Sequence, residues 1–326
     1  MKPPLKPVVW TPPPRADRPP LAQLPTLKLI DLPACAEDVL VDREGRLITG
    51  LADGRIVRVD AATGALETLV NTGGRPMCIE LDADHKLVVC DAVRGLLRVD
   101  LHERRVEVLV DAAVHALNLC NNAAVAADGT IYFTDSSSRF KLEHWRGDIF
   151  EHSGTGRLLQ RTPDGLVKVL LEHLHFANGV ALSADESYVA VAESGTYRIL
   201  RYWLKGDRRG HSDVLTDDLP GFPDNMASGS DGLIWVAIAS PRNPALDFLH
   251  RAPPILRRIV WALPESLLPK PERTLRVLAI DRSGRIVRDL AGLSGAFHMV
   301  TGLRVHGDKL YLASLEESSL AEVTLA

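Results

Sequence analysis

One pattern recurs along the chain and limits its possible folds more than any single motif. It consists of a polar pair, an alternating apolar strand, a turn of the Asp-Gly kind, a second strand and often a third. In the first copy Glu37-Asp38 leads a strand, Gly45 turns the chain, residues 46–51 run back, and residues 55–60 follow the turn at Asp53-Gly54. The second copy occupies 76–81, 86–92 and 95–100. The third starts at Asn121-Asn122, continues through 130–135 and resumes at 156–161 after an insertion. The fourth starts at Asn178-Gly179, the fifth at Asp224-Asn225 and the sixth at Thr301. Six copies at intervals of roughly 40 to 57 residues, with one longer gap, predict an all-β chain folded as a six-bladed β-propeller. A two-sheet sandwich has no internal period of that length. Residues 26–32 alternate in the same way ahead of the first copy, so they are expected to complete the last blade and cover its open edge.

The remaining segments stand apart in composition. Residues 1–25 form a proline-rich arm without an apolar stretch of secretory length, which leaves 26–326 for the propeller and argues against a signal peptide. Residues 244–272 interrupt the strand pattern. There Ile255, Leu256, Ile259, Val260 and Leu263 fall at helical spacing with Arg257 and Arg258 opposite, predicting a short amphipathic helix laid over one face with its apolar stripe inward. Membrane contact through that basic face and Trp261 is the weaker expectation, because so short a helix binds bilayers poorly alone. No apolar run reaches the roughly 18 residues of a spanning helix. A net charge of -4 offers no basic stripe for nucleic acid, so the expected partner is a small-molecule substrate. Cys35, Cys78, Cys90 and Cys120 lack metal-type spacing and read as free thiols, which points to a reducing, cytoplasmic setting.

In a propeller the leading ends of the innermost strands converge on the central channel. Glu37, Asn121, Asn178 and Asp224 stand at such ends, with Asn225 beside the last. Two carboxylates with amide oxygens suit a hard divalent cation such as Ca²⁺; without one the two acids would repel and one would take up a proton. A cation with open positions polarises an ester or lactone carbonyl and lowers the pKa of bound water. The predicted function is therefore calcium-dependent hydrolysis of lactones or aryl esters, with Asp224 or Glu37 moving the proton and His298 as a further candidate base. The alternatives are a binding propeller without turnover and an amine-aldehyde condensing lyase. Ser136, Ser137 and Ser138 lack a nucleophile elbow and read as turn residues. His144, His152, His173 and His175 lack zinc spacing. Phe140, Trp145, Phe176 and Phe222 are candidates for a pocket mouth.

Several stretches resemble a known family: E-D at 37, the run L-C-N-N to T-D-S-S over 119–137, F-A-N-G-V at 176–180, A-E-S at 192–194, G-F-P-D-N at 221–225, and N-P-A-L-D-F-L with L-L-P-K-P across 243–271. In this order they are similar to the strictosidine synthase-like family and its adipocyte plasma membrane-associated branch, within the wider group of gluconolactonases and paraoxonases. The resemblance covers about residues 25–326. It implies a six-bladed propeller whose channel holds a catalytic Ca²⁺ through Glu37, Asn121, Asn178, Asp224 and Asn225. The chain departs from the pattern at three places: Asn122 where relatives often have Asp, Met77 where the paraoxonase group has His, and Thr301 where strictosidine synthases have Glu. A threonine hydroxyl is a poor base at neutral pH, which disfavours the condensing reaction.

Overall fold

The computed structural model describes residues 2–15, 22–23, 26–264, 267–268 and 272–325. Parts of the expected arm and of the expected 244–272 insertion thus lie outside the described residues. The turns that punctuate the sequence are built by aspartates: Asp42 Oδ1 accepts from the amides of Glu44 and Arg46 at 3.0 and 2.8 Å, and Asp82 repeats the arrangement. Such a side chain imitates a backbone turn, so each copy of the repeat folds back on itself without help from distant residues.

Six strands lead the successive sheets: β1 (Ala36–Val41), β2 (Pro76–Leu81), β3 (Cys120–Val125), β4 (Ala177–Leu182), β5 (Gly221–Ser228) and β6 (Val300–His306). Three sheets, those headed by β2, β3 and β4, are separate four-stranded antiparallel units. The β5 sheet adds Ala22–Gln23 in parallel along Ile286–Leu293. An eight-stranded sheet holds the groups of β1 and β6, bridged by the pair Ser314 and Ala36. Lys28–Asp31 pairs antiparallel with Ser319–Thr324, so the alternating segment near the start of the chain does cover an edge near its end. Each leading strand packs on the next, and β6 packs back on β1. The fold is a β-propeller of four-stranded blades.

Neighbouring groups of strands share apolar layers. Leu40, Ile48 and Ile56 meet Ile79, Val89 and Leu97, and Ile30, Tyr311 and Leu320 meet Val39, Leu47 and Val57. A fully buried leucine or isoleucine side chain is worth about 1.5–3 kcal/mol, so these layers contribute strongly to holding the blades together.

Among the described residues three short α-helices cover one part of the ring: α1 (Arg146–Glu151), α2 (Pro244–Arg251) and α3 (Pro254–Ala262). The helical insertion is thus a pair, and the polarity of α3 is reversed at Ile255, Leu256, Arg257 and Ile259, while Arg258 is exposed as expected. Arg257 is fully buried and Trp261 nearly so, while Ile255 and Ile259 are more than half exposed. The cause lies in distant carbonyls. Arg257 donates to Phe150 O at 2.9 Å and to Val8 O at 2.7 Å, and Trp261 Nε1 donates to Pro3 O at 2.8 Å. Residues 2–15 lie extended across the helices, with Trp10 stacked on His152 at 4.2 Å between ring centroids.

Candidate functional site

The polar pairs that open the leading strands are β-bulges. Ladder pairing is interrupted between Ala36 and Val39, Cys120 and Ala123, Ala177 and Val180, and Pro223 and Met226. The four gaps contain Glu37-Asp38, Asn121-Asn122, Asn178-Gly179 and Asp224-Asn225. A bulge releases residues from strict alternation and re-aims their side chains, which is why two adjacent polar residues can stand where a strand would allow one. Acids at the ends of the second strands hold the chain just ahead of β2, β3 and β4 in the same way. Asp91 accepts from the Arg75 amide at 3.0 Å, Asp135 from Asn118 and Leu119 at 3.0 and 2.9 Å, and Glu193 from His175 at 2.8 Å. Their recurrence at one place in the repeat is a signal the sequence reading left unused.

The orientation of the two amides follows from two serines, Ser136, read above as a turn residue, and Ser194. Asn121 Nδ2 donates to Ser136 Oγ at 2.8 Å, and Asn178 Nδ2 donates to Ser194 Oγ at 3.3 Å. Ser194 in turn donates to Pro223 O at 2.5 Å. With the nitrogens engaged, the oxygens point elsewhere: Asn121 Oδ1 and Asn178 Oδ1 are buried without a hydrogen-bond donor, as are Glu37 Oε2 and Asn225 Oδ1. Buried acceptors without a donor each cost about 1–3 kcal/mol, and four of them on different strands are oxygens that a hard divalent cation could satisfy. The donor set is hard oxygen. Among the described residues no three His, Cys, Asp or Glu side chains gather to hold a metal, so a cation here would depend on the amide oxygens as well as the acids.

Electrostatics agree. Burial and then the negative field of Glu37 hold the Asp224 carboxyl well above the usual carboxylate range, with the Asn225 amide and the Asn178 side chain opposing. Burial pushes Glu37 up to about 7, with Arg75 opposing it at 4.0 Å and Asp38 adding to it. Glu37, Asn178 and Asp224 therefore act on one another, with Asn121 on the adjoining strand and Asn225 next in chain. His298 makes its ring hydrogen bonds to Glu317 through Nδ1 and to Glu316 through Nε2, the latter at 3.2 Å. Thr301 donates to Glu37 O at 2.8 Å, so its hydroxyl serves to hold β1. Met77 packs with Leu119, Ile149 and Phe176. Asn122 Oδ1 accepts from the Val180 amide at 2.7 Å and staples β3 to β4.

A cavity of about 180 Å³ opens above these residues. Asn178, Ser194 and Asp224 are its polar lining nearest the bulges, and Trp145, Phe176 and Phe222 are among its apolar walls. Phe140, the fourth aromatic expected there, is instead fully buried against Trp261. Close backbone approach sets the spacing of the bulges. A Cβ on Gly179 would lie 2.4 Å from Asp224 O and 2.6 Å from the Met226 amide nitrogen, and one on Gly302 would lie 2.5 Å from Glu37 O. Gly179→Ala is thus expected to cost about 1–3 kcal/mol by forcing β4 from β5. It should also weaken cation binding, measurable by thermal unfolding with and without added calcium; an unchanged melting temperature would show that the strands have slack.

The fold is that of solved propellers described as a gluconolactonase and as regucalcin. The structure superposes on a gluconolactonase from Xanthomonas campestris with a TM-score of 0.65 at 17% identity, covering 94% of this chain and 91% of that one. Regucalcin from Agrobacterium tumefaciens, described as calcium-binding, gives 0.64 at 13% identity and 94% coverage of both chains. Family models for strictosidine synthase and for the N-terminal part of strictosidine synthase-like proteins match residues 121–207 and 23–59. Adipocyte plasma membrane-associated protein of Bos taurus is 35% identical over 305 residues, spanning 86% of this chain and 73% of its own length. Strictosidine synthase-like 6 of Arabidopsis thaliana is 33% identical, over 89% of this chain and 78% of its own. The chain belongs to the strictosidine synthase-like and adipocyte plasma membrane-associated protein family. These names overturn the cytoplasmic expectation, since they point to membrane association. That expectation rested on free thiols and on the lack of a long apolar run, and neither bears on attachment at a surface. Among the described residues no helix is long and apolar enough to cross a membrane.

Proposed function

We propose that this chain is a six-bladed propeller, residues 26–326 behind an arm of residues 1–25, that hydrolyses lactones or aryl esters with calcium in its channel. The observation that carries the reading is the set of buried, donorless oxygens on Glu37, Asn121, Asn178 and Asn225 beside Asp224. A calcium ion held by Glu37, Asn121, Asn178, Asp224 and Asn225 would polarise the scissile carbonyl and ease ionisation of water. Asp224 lines the cavity, and with calcium beside it to keep it ionised its carboxylate would take the proton of the attacking water and return it to the leaving oxygen. Glu37 shares the negative charge and is the second candidate for proton transfer. Trp145, Phe176 and Phe222 offer an apolar seat for the acyl or aryl group. The gluconolactonase fold supports this chemistry, and the names of the curated relatives support a place of work at a membrane surface.

The test is turnover of phenyl acetate and a panel of lactones before and after exhaustive chelation. Chelation is expected to lower kcat/KM at least about a hundredfold, the scale of a lost electrostatic stabiliser, and added Ca²⁺ to restore it. Hydrolysis that persists undiminished in calcium-free protein would sink the reading.

A further inference from the structure

Both lid helices turn apolar side chains away from the protein. Phe248 is 61% exposed on α2, Ile255 and Ile259 are 54% and 55% exposed on α3, and Leu256 and Leu263 join them at 37%. On α3 the exposed residues fall at i, i+1, i+4 and i+8, one continuous arc, with Arg257 and Trp261 opposite. The helices cannot roll this arc inward, because Arg257 is anchored to Phe150 O and Val8 O and Trp261 to Pro3 O. Each helix carries an arginine three residues beyond its exposed apolar residue, Arg251 after Phe248 and Arg258 after Ile255, and both arginines are exposed. The acid of this pair of helices, Asp247, is buried and paired with Arg242 at 3.2 Å. The surface offered is therefore apolar with a cationic edge.

We propose that the outward face of α2 and α3 docks on an anionic lipid surface, with Phe248, Ile255, Leu256, Ile259 and Leu263 entering the interfacial layer and Arg251 and Arg258 meeting the headgroups. An apolar helix face edged by basic residues is the chemistry that binds in this way, and two helices together supply the area that one lacks. The placement has a consequence for the cavity. Leu246, Leu249 and Val260, on the same two helices, line it. An apolar solute partitioned into the lipid would have only this layer between itself and the channel. The proposal rests on the membrane association proposed above and names the face responsible for it.

The test uses the full chain with phosphatidylcholine vesicles, with and without a third of phosphatidylserine, in a sedimentation assay at moderate salt. Wild type is expected to bind the anionic vesicles. Phe248→Ser, Ile255→Ser and Ile259→Ser combined should weaken binding more than about tenfold while circular dichroism and melting stay unchanged. Arg251→Glu with Arg258→Glu should remove the preference for anionic lipid, about fivefold for each arginine lost. Vesicle binding that survives the triple substitution would overturn the assigned face and leave the membrane association standing on another surface. No binding by wild type would overturn both. A wild-type dimer that becomes monomeric in the triple variant, with no vesicle binding, would assign the face to a second copy of the chain instead.

Discussion

Replacing Asp224 by asparagine is expected to abolish calcium binding and lower ester hydrolysis by at least about a thousandfold, while the metal-free protein becomes more stable at neutral pH. The two effects have one cause. Asp224 and Glu37 are buried acids whose ionised forms repel, and each has a pKa raised above its unfolded value. The stability contributed by such a group is fully present below the unfolded pKa and is lost as pH rises through the folded one. For Glu37 that window runs from 4.5 to about 7, and a shift of this size corresponds to roughly 3 kcal/mol at most. Asp224→Asn removes one partner of the repulsion and the Asp224 titration itself. The melting temperature of the metal-free variant should therefore exceed that of metal-free wild type, by a margin that widens between pH 5 and 8. Calcium should raise the melting temperature of wild type and leave the variant unmoved. A variant that loses activity only in proportion to lost folded protein would mark Asp224 as structural, and the proposed chemistry would fall with it.

The sequence carried the propeller because the repeat is written locally. Asp42 and Asp82 make their turns with neighbours two and four residues on, and the alternating segment 26–32 needed only an open edge to imply its partner. The polar pairs at Glu37, Asn121, Asn178 and Asp224 stood out because they break alternation, and bulges are the reason they do. What the pattern did not show are contacts supplied from far along the chain. Ser136 and Ser194 orient the site amides across strand pairs, and Arg75 reaches Glu37 from the next blade. The polarity of α3 was misread for a related reason. Helical periodicity assigns the apolar side to the core on the assumption that arginine faces water. Here the two terminal nitrogens of Arg257 donate to carbonyls more than 100 residues away, and no window of local sequence contains them. Its companion Trp261, named only in the weaker expectation of membrane contact, is packed against Phe150.

The layer of residues 2–15 is expected to loosen on acidification, and a histidine cluster is what makes it do so. His152 lies between Trp10 and His175, with ring centroids 4.2 and 4.0 Å away, and His250 is 5.0 Å from it. Burial lowers the pKa of all three, strongly for His152 and to about 4 for His250. Arg257 and Arg198 oppose protonation of His152, while Glu193 favours it at His175 and Asp247 and Ile149 O favour it at His250. A depressed histidine contributes stability that is present above its unfolded pKa near 6.5 and is lost as pH falls toward the folded value. For His250 alone this amounts to about 3 kcal/mol across that window. Global melting is a poor readout, because Asp148, raised to about 7 by burial, and the channel acids run with the opposite sign. The difference between wild type and His152→Phe isolates the cluster. Neither ring nitrogen of His152 has a hydrogen-bond partner, so phenylalanine keeps the stack and forfeits no bond. The variant should match or exceed wild type at pH 7.5 and gain on it by about 1.4 kcal/mol per unit below pH 6.5. Protection of the amides in residues 2–15 against hydrogen exchange, corrected for the intrinsic pH dependence, should fall at pH 5 in wild type, where Val8 and Trp10 donate to Glu151 O and His250 O, and hold in the variant. Equal exchange in the two proteins at pH 5 would place the acid response elsewhere than in these stacked rings.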